Sequence, residues 1–229
     1  MRDLVPNSRE YRHFCTLART LELVGERWSL LIVRDLLAGR QRFSDLQRTL
    51  AGITPKRLTL GLRDLEAAGI VERDQEAGRR EVWYQLTDKG RDLTPAIEAL
   101  TAWGVKHARR APRPGEPVHP GPLMRALASA LNHRGARTKR PRVWRLRFTP
   151  GGDYTIGFEA ARWHTPLPGD VDGDIVVETT PEEWATFLMA TQAARGKLAK
   201  KLSVAGTPAA IAEFFSIFGV PTTTGRRPV

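Results

Sequence analysis

The side chains that most often do chemistry are scattered along this sequence. Its five histidines stand at 13, 107, 119, 133 and 164, and none belongs to an H-E-x-x-H or other close metal-ligand pair. There is no glycine-rich phosphate loop closed by Lys-Ser/Thr and no G-x-S-x-G nucleophile elbow. The acidic run "DVDGD" at 170–174 has its glycine fourth rather than sixth, and its twelfth position is Pro181, so it does not match a calcium loop. The one cysteine, Cys15, leaves no partner for an intramolecular disulfide and no basis for a Cys-built zinc cage. The expectation is therefore no enzyme activity and no cofactor or metal. One stretch does concentrate chemistry: "GITPKRLTLGLRDLEAAGIV", 52–71. It spaces Leu58, Leu62 and Leu65 at helical period and carries Lys56, Arg57, Thr59, Leu60 and Arg63 on its other faces. Cations and a hydroxyl on a short helix suit the backbone and base edges of a nucleic acid.

Composition agrees with that direction. The chain has 229 residues, 41% hydrophobic and 27% charged, with a formal net charge of +11. Such an excess favours an anionic partner. It does not say which half meets that partner, because 21 Lys+Arg face 15 Asp+Glu up to Arg113 and 15 face 10 after it. No run of about 18 apolar residues is present, and the N-terminal stretch is polar, so the expectation is a cytoplasmic protein with no membrane segment.

The elements that must position the basic helix follow from local patterns. "RRAPRPGEPVHPGP", 109–122, has five prolines in fourteen residues and reads as an extended linker. It divides a first domain, 1–110, from a second, 123–229, with 111–122 as the linker. In the first, "CTLARTLELV" and "ERWSLLIVRDLLAG" read as helices, the second closed by Gly39. "FSDLQRTLAG" opens with Ser44 and Gln47 at capping-box spacing. Thr54 offers an N-cap and Pro55 the first helical position of the next helix, which Gly69 ends. "IVERDQEAGRREVWYQLT" reads as a β-hairpin turning at "EAGRR", and Thr87 caps one long helix after it. In the second domain, "VWRLRFT" places Trp144, Leu146 and Phe148 inward and Arg145 and Arg147 outward. "GGD" turns it into a pairing strand, "DIVVETT" is another strand, and helices follow at Pro181 and over "TPAAIAEFFSIFG". The expected class is α+β in two domains: a mainly α winged helix with a hairpin wing, then a sheet covered by helices.

Helix, short turn, helix, hairpin is the order of a winged helix-turn-helix. The leucine stripe docks the second helix on its domain and leaves Lys56, Arg57, Thr59, Leu60 and Arg63 for the major groove. Arg42 and Ser44, at the start of the preceding helix, suit phosphates. Arg79 and Arg80, at the hairpin tip, suit backbone or minor groove.

The blocks "CTLARTLELVGERWSLLIVRDLLAGRQRFSDLQRTLAGITPKRLTLGLRDLEAAGIVERD" and "VWYQLTDKGRDLTPAIEALTAWG" resemble the HxlR-type winged-helix transcriptional regulators over about residues 10–108. The resemblance implies a homodimer on an inverted repeat in double-stranded DNA. Its interface would come from the N-terminal helix and the helix after the wing, here Leu17, Leu21, Ile97, Leu100 and Trp103. Two departures are Leu60 and Gly61, where relatives often carry polar or basic side chains. Leu60 suits a thymine methyl, or it means weaker specificity. Cys15 falls where many relatives have a cysteine that some use as a redox or electrophile sensor, though relatives often follow it with proline and this chain has Thr16. The nearby Arg12, His13 and Arg19 fit a sensor thiol; a small buried hydrophobe is the other reading.

The ending "DGDIVVETTPEEWATFLMATQ…KLAKKLSVAGTPAAIAEFFSIFG" resembles the sterol carrier protein type 2-like fold over about 120–220. That implies a sheet and helices around an apolar tunnel for lipids, sterols or acyl chains. Trp144, Phe148, Phe158, Trp163, Trp184, Leu188, Phe215 and Phe218 would line it, or would simply fill a core. Together the two resemblances imply a DNA-binding regulator controlled by a small apolar ligand. The alternative is a redox regulator acting through Cys15, with a second domain that is only structural or protein-docking.

Overall fold

The structure, a computed structural model, describes residues 11, 13–74, 81–165 and 171–221. The chain forms two compact units, Met1–Ala99 and Leu100–Val229. The first begins with α1 (Thr16–Val24) and α2 (Ser29–Leu36), then a two-residue strand, β1 (Gln41–Arg42), and α3 (Phe43–Thr49). α4 (Pro55–Ala67) leads into β2 (Val71–Asp74) and β3 (Trp83–Leu86), followed by α5 (Asp88–Arg91) and α6 (Thr94–His107). The strands form an antiparallel sheet in the order β1-β3-β2. Ile32, Leu46, Leu58 and Leu65 fill the core. Within it Asp35 is buried and accepts hydrogen bonds from Thr49 Oγ1 at 2.7 Å and Arg34 Nε at 2.9 Å, which satisfies the carboxylate and ties α2 to α3. The helix-turn-helix and its adjoining sheet match expectation; the hairpin turn at 76–80 lies outside the described residues.

Two local readings change, and the strand β1 is an element the sequence does not announce. α3 begins at Phe43, not after a Ser44 cap, because Asp45 Oδ2 accepts Arg42 N–H at 3.4 Å and so closes the helix start earlier. The strand β1 is too short to show a period. The single long helix after Thr87 is two helices. Pro95 has no N–H to bond the Arg91 carbonyl four residues back, and Thr94 Oγ1 donates to that carbonyl instead at 2.6 Å. The boundary between the two units falls inside α6.

Residues 109–119 carry no helix or strand, and Arg110 grips Glu116 there with two 2.6 Å hydrogen bonds. α7 (Pro120–His133) starts three residues before position 123. β4 (Arg142–Phe148), β5 (Gly152–Glu159), β6 (Arg162–His164) and β7 (Ile175–Thr179) follow, then α8 (Pro181–Met189), α9 (Gln192–Ala199), β8 (Ser203–Gly206) and α10 (Pro208–Ile217). The sheet order is β6-β5-β4-β7-β8, antiparallel except for the β4–β7 pair. β4 alternates as expected, with Trp144, Leu146 and Phe148 buried. Arg142, of the same parity, is buried too, at 7% exposure. It survives there because Glu213 Oε2 accepts from Nε at 2.7 Å and Asp174 Oδ1 from Nη1 at 2.8 Å. β6, β8 and α9 were not anticipated; β8 lies inside the basic stretch 195–206, and α9 starts before it and runs into it. No helix among the described residues is long and apolar enough to cross a membrane.

Candidate nucleic-acid interface

α4 is built by its own sequence. Thr54 Oγ1 accepts the Arg57 N–H at 3.3 Å, Pro55 occupies the first helical position, and Gly69, at φ +67°, turns the chain out after Ala68. Leu58, Leu62 and Leu65 are 0%, 2% and 0% exposed, so the stripe docks the helix. Burying each such side chain contributes about 1.5–3 kcal/mol, enough to fix which face is left outside.

That outer face carries Lys56, Arg57, Leu60 and Arg63, all exposed, with Thr59 half-buried at its flank. Among the described residues, Lys56, Arg57 and Arg63 have no acidic partner within ion-pair distance, unlike Arg48, which pairs with Asp45 at 2.8 Å. Thr59 Oγ1 donates to the Pro55 carbonyl at 2.9 Å, so its hydroxyl is left to accept and its methyl to pack. On the same helix Asp64 has its pKa raised, first by burial and then by the Glu26 charge. Gly61 is not on the outer face. A Cβ there would meet Ile32 Cδ1 at 3.0 Å, so this glycine marks where α4 crosses close over α2. The glycine at 61 therefore bears on the packing of α4 against α2 and not on the outer face.

Arg42 is not free as expected. Its Nη2 donates to Glu81 Oε2 at 2.7 Å and its guanidinium lies 4.6 Å from the Trp83 ring centre. The pair is half-exposed and worth at most about 1 kcal/mol, so a phosphate can compete for it. Arg40 lies 4.9 Å from the same ring, a second cation at the base of the hairpin that the sequence reading missed. The signal was the R-x-R spacing at 40–42, legible only once β1 is paired with β3 at Arg42↔Trp83. Ser44 is exposed in the first turn of α3. Arg79 and Arg80 lie outside the described residues.

Of the residues expected at a dimer interface, Leu17 and Leu21 on α1 and Leu100 and Trp103 on α6 are exposed large hydrophobics, as are Tyr11 and Phe14. Ile97 is a correction: it is 8% exposed and packs in the core of its own unit. Cys15 is a free, half-buried thiol at the start of α1; His13 is exposed beside it, Arg19 lies over Phe14 at 5.4 Å, and Arg12 is outside the described residues.

The expected ligand-lining residues mostly pack on one another. Trp144 meets Trp163 at 4.4 Å and Phe218 at 5.9 Å; Phe158 meets Trp163 at 5.1 Å; Trp184 meets Phe218 at 5.8 Å. Trp144, Phe148, Phe158, Trp163 and Trp184 are therefore core, with Phe215 packed at its margin. Leu188 and Phe218 do border a pocket. Among the described residues no three His, Cys, Asp or Glu side chains could together hold a metal ion.

Comparison with known proteins places the first unit. A family model described as HxlR-like helix-turn-helix matches residues 23–112. The uncharacterized HTH-type transcriptional regulator YtcD of Bacillus subtilis is 39% identical over 94 residues, covering 40% of this chain and 73% of that protein. An uncharacterized HTH-type transcriptional regulator of Mycobacterium bovis is 43% identical over 107 residues, covering 45% of this chain and 64% of its own length. Of solved structures, the crystal structure of YtcD matches with 37% identity and a TM-score of 0.39, covering 42% of this chain and 99% of that one.

Proposed function

Because this chain belongs to the HxlR-like helix-turn-helix family of transcriptional regulators, we propose that it reads a specific sequence in double-stranded DNA through α4. The observation that carries this is the outer face of that helix: three unpaired cations opposite a leucine stripe buried to 2% or less. Lys56 and Thr59, near the helix start, face base edges, with Thr59 accepting from an amino group or packing on a methyl. Arg63 fits the O6/N7 edge of guanine in bidentate fashion, Leu60 a thymine methyl, and Arg57 a phosphate. Arg42, Ser44, Arg79 and Arg80 hold the backbone. Selection of operators from genomic fragments, followed by binding of the Lys56→Ala/Arg63→Ala double variant, tests this. Binding that is unchanged by the double variant refutes the placement of α4.

The same reading makes the protein a homodimer in the cytoplasm on an inverted repeat, with the exposed Leu17, Leu21, Leu100 and Trp103 as the apolar surface that a second copy covers. Residues 1–110 would bind DNA and dimerise, and 123–229 would form a sterol carrier protein type 2-like domain taking a small apolar ligand. The five-stranded sheet with its helices supports that second assignment. Control by the ligand requires different ligand affinity in the DNA-competent and DNA-incompetent states. Operator affinity with and without a bound ligand is the measurement; equal affinities reject the control.

A further inference from the structure

In the second unit, Leu123, Ala126, Leu127 and Ala130 recur at one face of α7 and wall a pocket of about 80 Å3 that Leu188 and Phe218 also border. Three arginines line it: Arg109, Arg134 and Arg195. Arg195 is almost fully buried. It donates Nε to Phe187 O at 3.2 Å, Nη1 to Phe218 O at 2.6 Å, and Nη2 to Leu188 O and Ala190 O at 3.0 Å each. Arg109 donates Nε to Met189 O at 2.8 Å and Nη2 to Leu188 O and Ala190 O. Both guanidiniums thus cover carbonyls at the end of α8, and Arg195 also that of Phe218 at the end of α10. That accounts for their hydrogen bonds, not for their charge. Among the described residues no carboxylate lies within ion-pair distance of any of the three, and the Arg109 Nη1 and the whole Arg134 guanidinium have no hydrogen-bond partner. Burial, then Arg109 and Arg134, bring the Arg195 pKa down to about 10; burial, then Arg109, lower that of Arg134. Of the three, Arg195 alone is buried; Arg109 and Arg134 are exposed, and their unpaired N–H groups border the apolar pocket, where an anion can take them.

We propose that this pocket binds an amphipathic carboxylate, an apolar chain or ring ending in a single acid group, with Arg134 and Arg109 Nη1 holding the head and the α7 face holding the body. This rests on reading the second unit as a ligand-binding domain, and adds the charge of the ligand and the residues that recognise it. The planar guanidinium fork matches a carboxylate in two parallel hydrogen bonds. An apolar cavity of about 150 Å3 takes benzene, so this smaller, open pocket takes the first few carbons and lets a longer body run outward.

Calorimetry on the full chain with octanoate, octanol and acetate tests it. Octanoate should bind at least about tenfold tighter than either octanol, which lacks the charge, or acetate, which lacks the body. Arg134→Ala should cost about tenfold in octanoate affinity. That residue's side chain bonds nothing in the fold, so folding is spared. Ala130→Trp, which fills the pocket, should abolish binding. Equal affinity for octanoate and octanol overturns the anionic head and leaves an apolar-ligand domain standing. No binding of either overturns both. Octanoate binding unaffected by Arg134→Ala and Ala130→Trp overturns the site. If octanoate does not bind and Arg134→Ala instead weakens duplex DNA binding, the arginines serve the DNA backbone.

Discussion

Replacing Lys56 and Arg63 together by alanine isolates the readout face from the stability of the fold. Neither side chain has an ion pair to lose, and both are exposed, so the melting free energy should change by no more than about 0.5 kcal/mol per site. The two residues are seven positions apart on α4, a separation of about 10 Å at 1.5 Å per residue. That is at the limit where mutational effects couple, so their costs should add. Each base contact is worth about 1–3 kcal/mol, and the double variant should therefore lose about 2–6 kcal/mol of specific affinity, 30-fold or more. Anisotropy of a labelled operator, measured at several salt concentrations beside a scrambled duplex, separates the terms. Loss of base contacts lowers the specific affinity far more than the scrambled one. Loss of phosphate contacts lowers both and reduces the salt slope by about 0.9 per contact. An equal drop on both duplexes would assign these cations to the backbone; no drop on either would remove α4 from the interface.

Other outcomes follow from packing and charge. Leu62→Ala should destabilise the first unit by about 2–5 kcal/mol in urea unfolding, because it opens a cavity under α4. Thr54→Ala should cost about 1 kcal/mol by losing the α4 cap; a smaller helical loss than that would mean Pro55 alone sets the start. Trp103→Ser should shift a dimer toward monomer in analytical ultracentrifugation, while an unchanged sedimentation profile would place the subunit contact elsewhere. The Arg142 cluster gives a pH signature. Burial raises the Asp174 and Glu213 pKa values, but hydrogen bonds from the Val143 and Lys139 N–H groups and from Arg142 outweigh it and hold both below their usual range. Carboxylates held low stabilise the fold above their unfolded pKa values of about 4 and cease to as pH falls through the folded values. The second unit should therefore melt at a constant temperature above about pH 5 and lose stability below about pH 4. Arg142→Met should flatten that acid limb and destabilise by about 3–5 kcal/mol at neutral pH.

What could be read in the sequence was what local chemistry decides. The Thr54–Pro55 start of α4, its leucine stripe and the β4 alternation each depend on neighbours a turn or a pleat away. The α5–α6 break is also local: Pro95 interrupts the hydrogen bonding, while the apolar spacing of Leu93, Ile97 and Leu100 runs across it as in one helix. The rest depends on distant partners. Arg142 shares inward parity with Trp144, yet its anions come from positions 32 and 71 residues further on. Arg109 meets its carbonyls about 80 residues away. The aromatic residues of the second unit were correctly placed on inward faces, but pattern alone could not separate core from pocket lining. The ring contacts do, and they leave the pocket to α7, Leu188 and Phe218.

The close crossing at Gly61 sets a practical limit on redesign. A Cβ there would sit 3.0 Å from Ile32 Cδ1, so any other residue requires that methyl to give by a few tenths of an ångström and perturbs the seat of α4 before it alters what the protein reads. A library intended to retarget it should randomise 56, 59, 60 and 63 and hold 61 as glycine. Including 61 would mix in variants whose altered binding reports a shifted α4, not a new sequence preference.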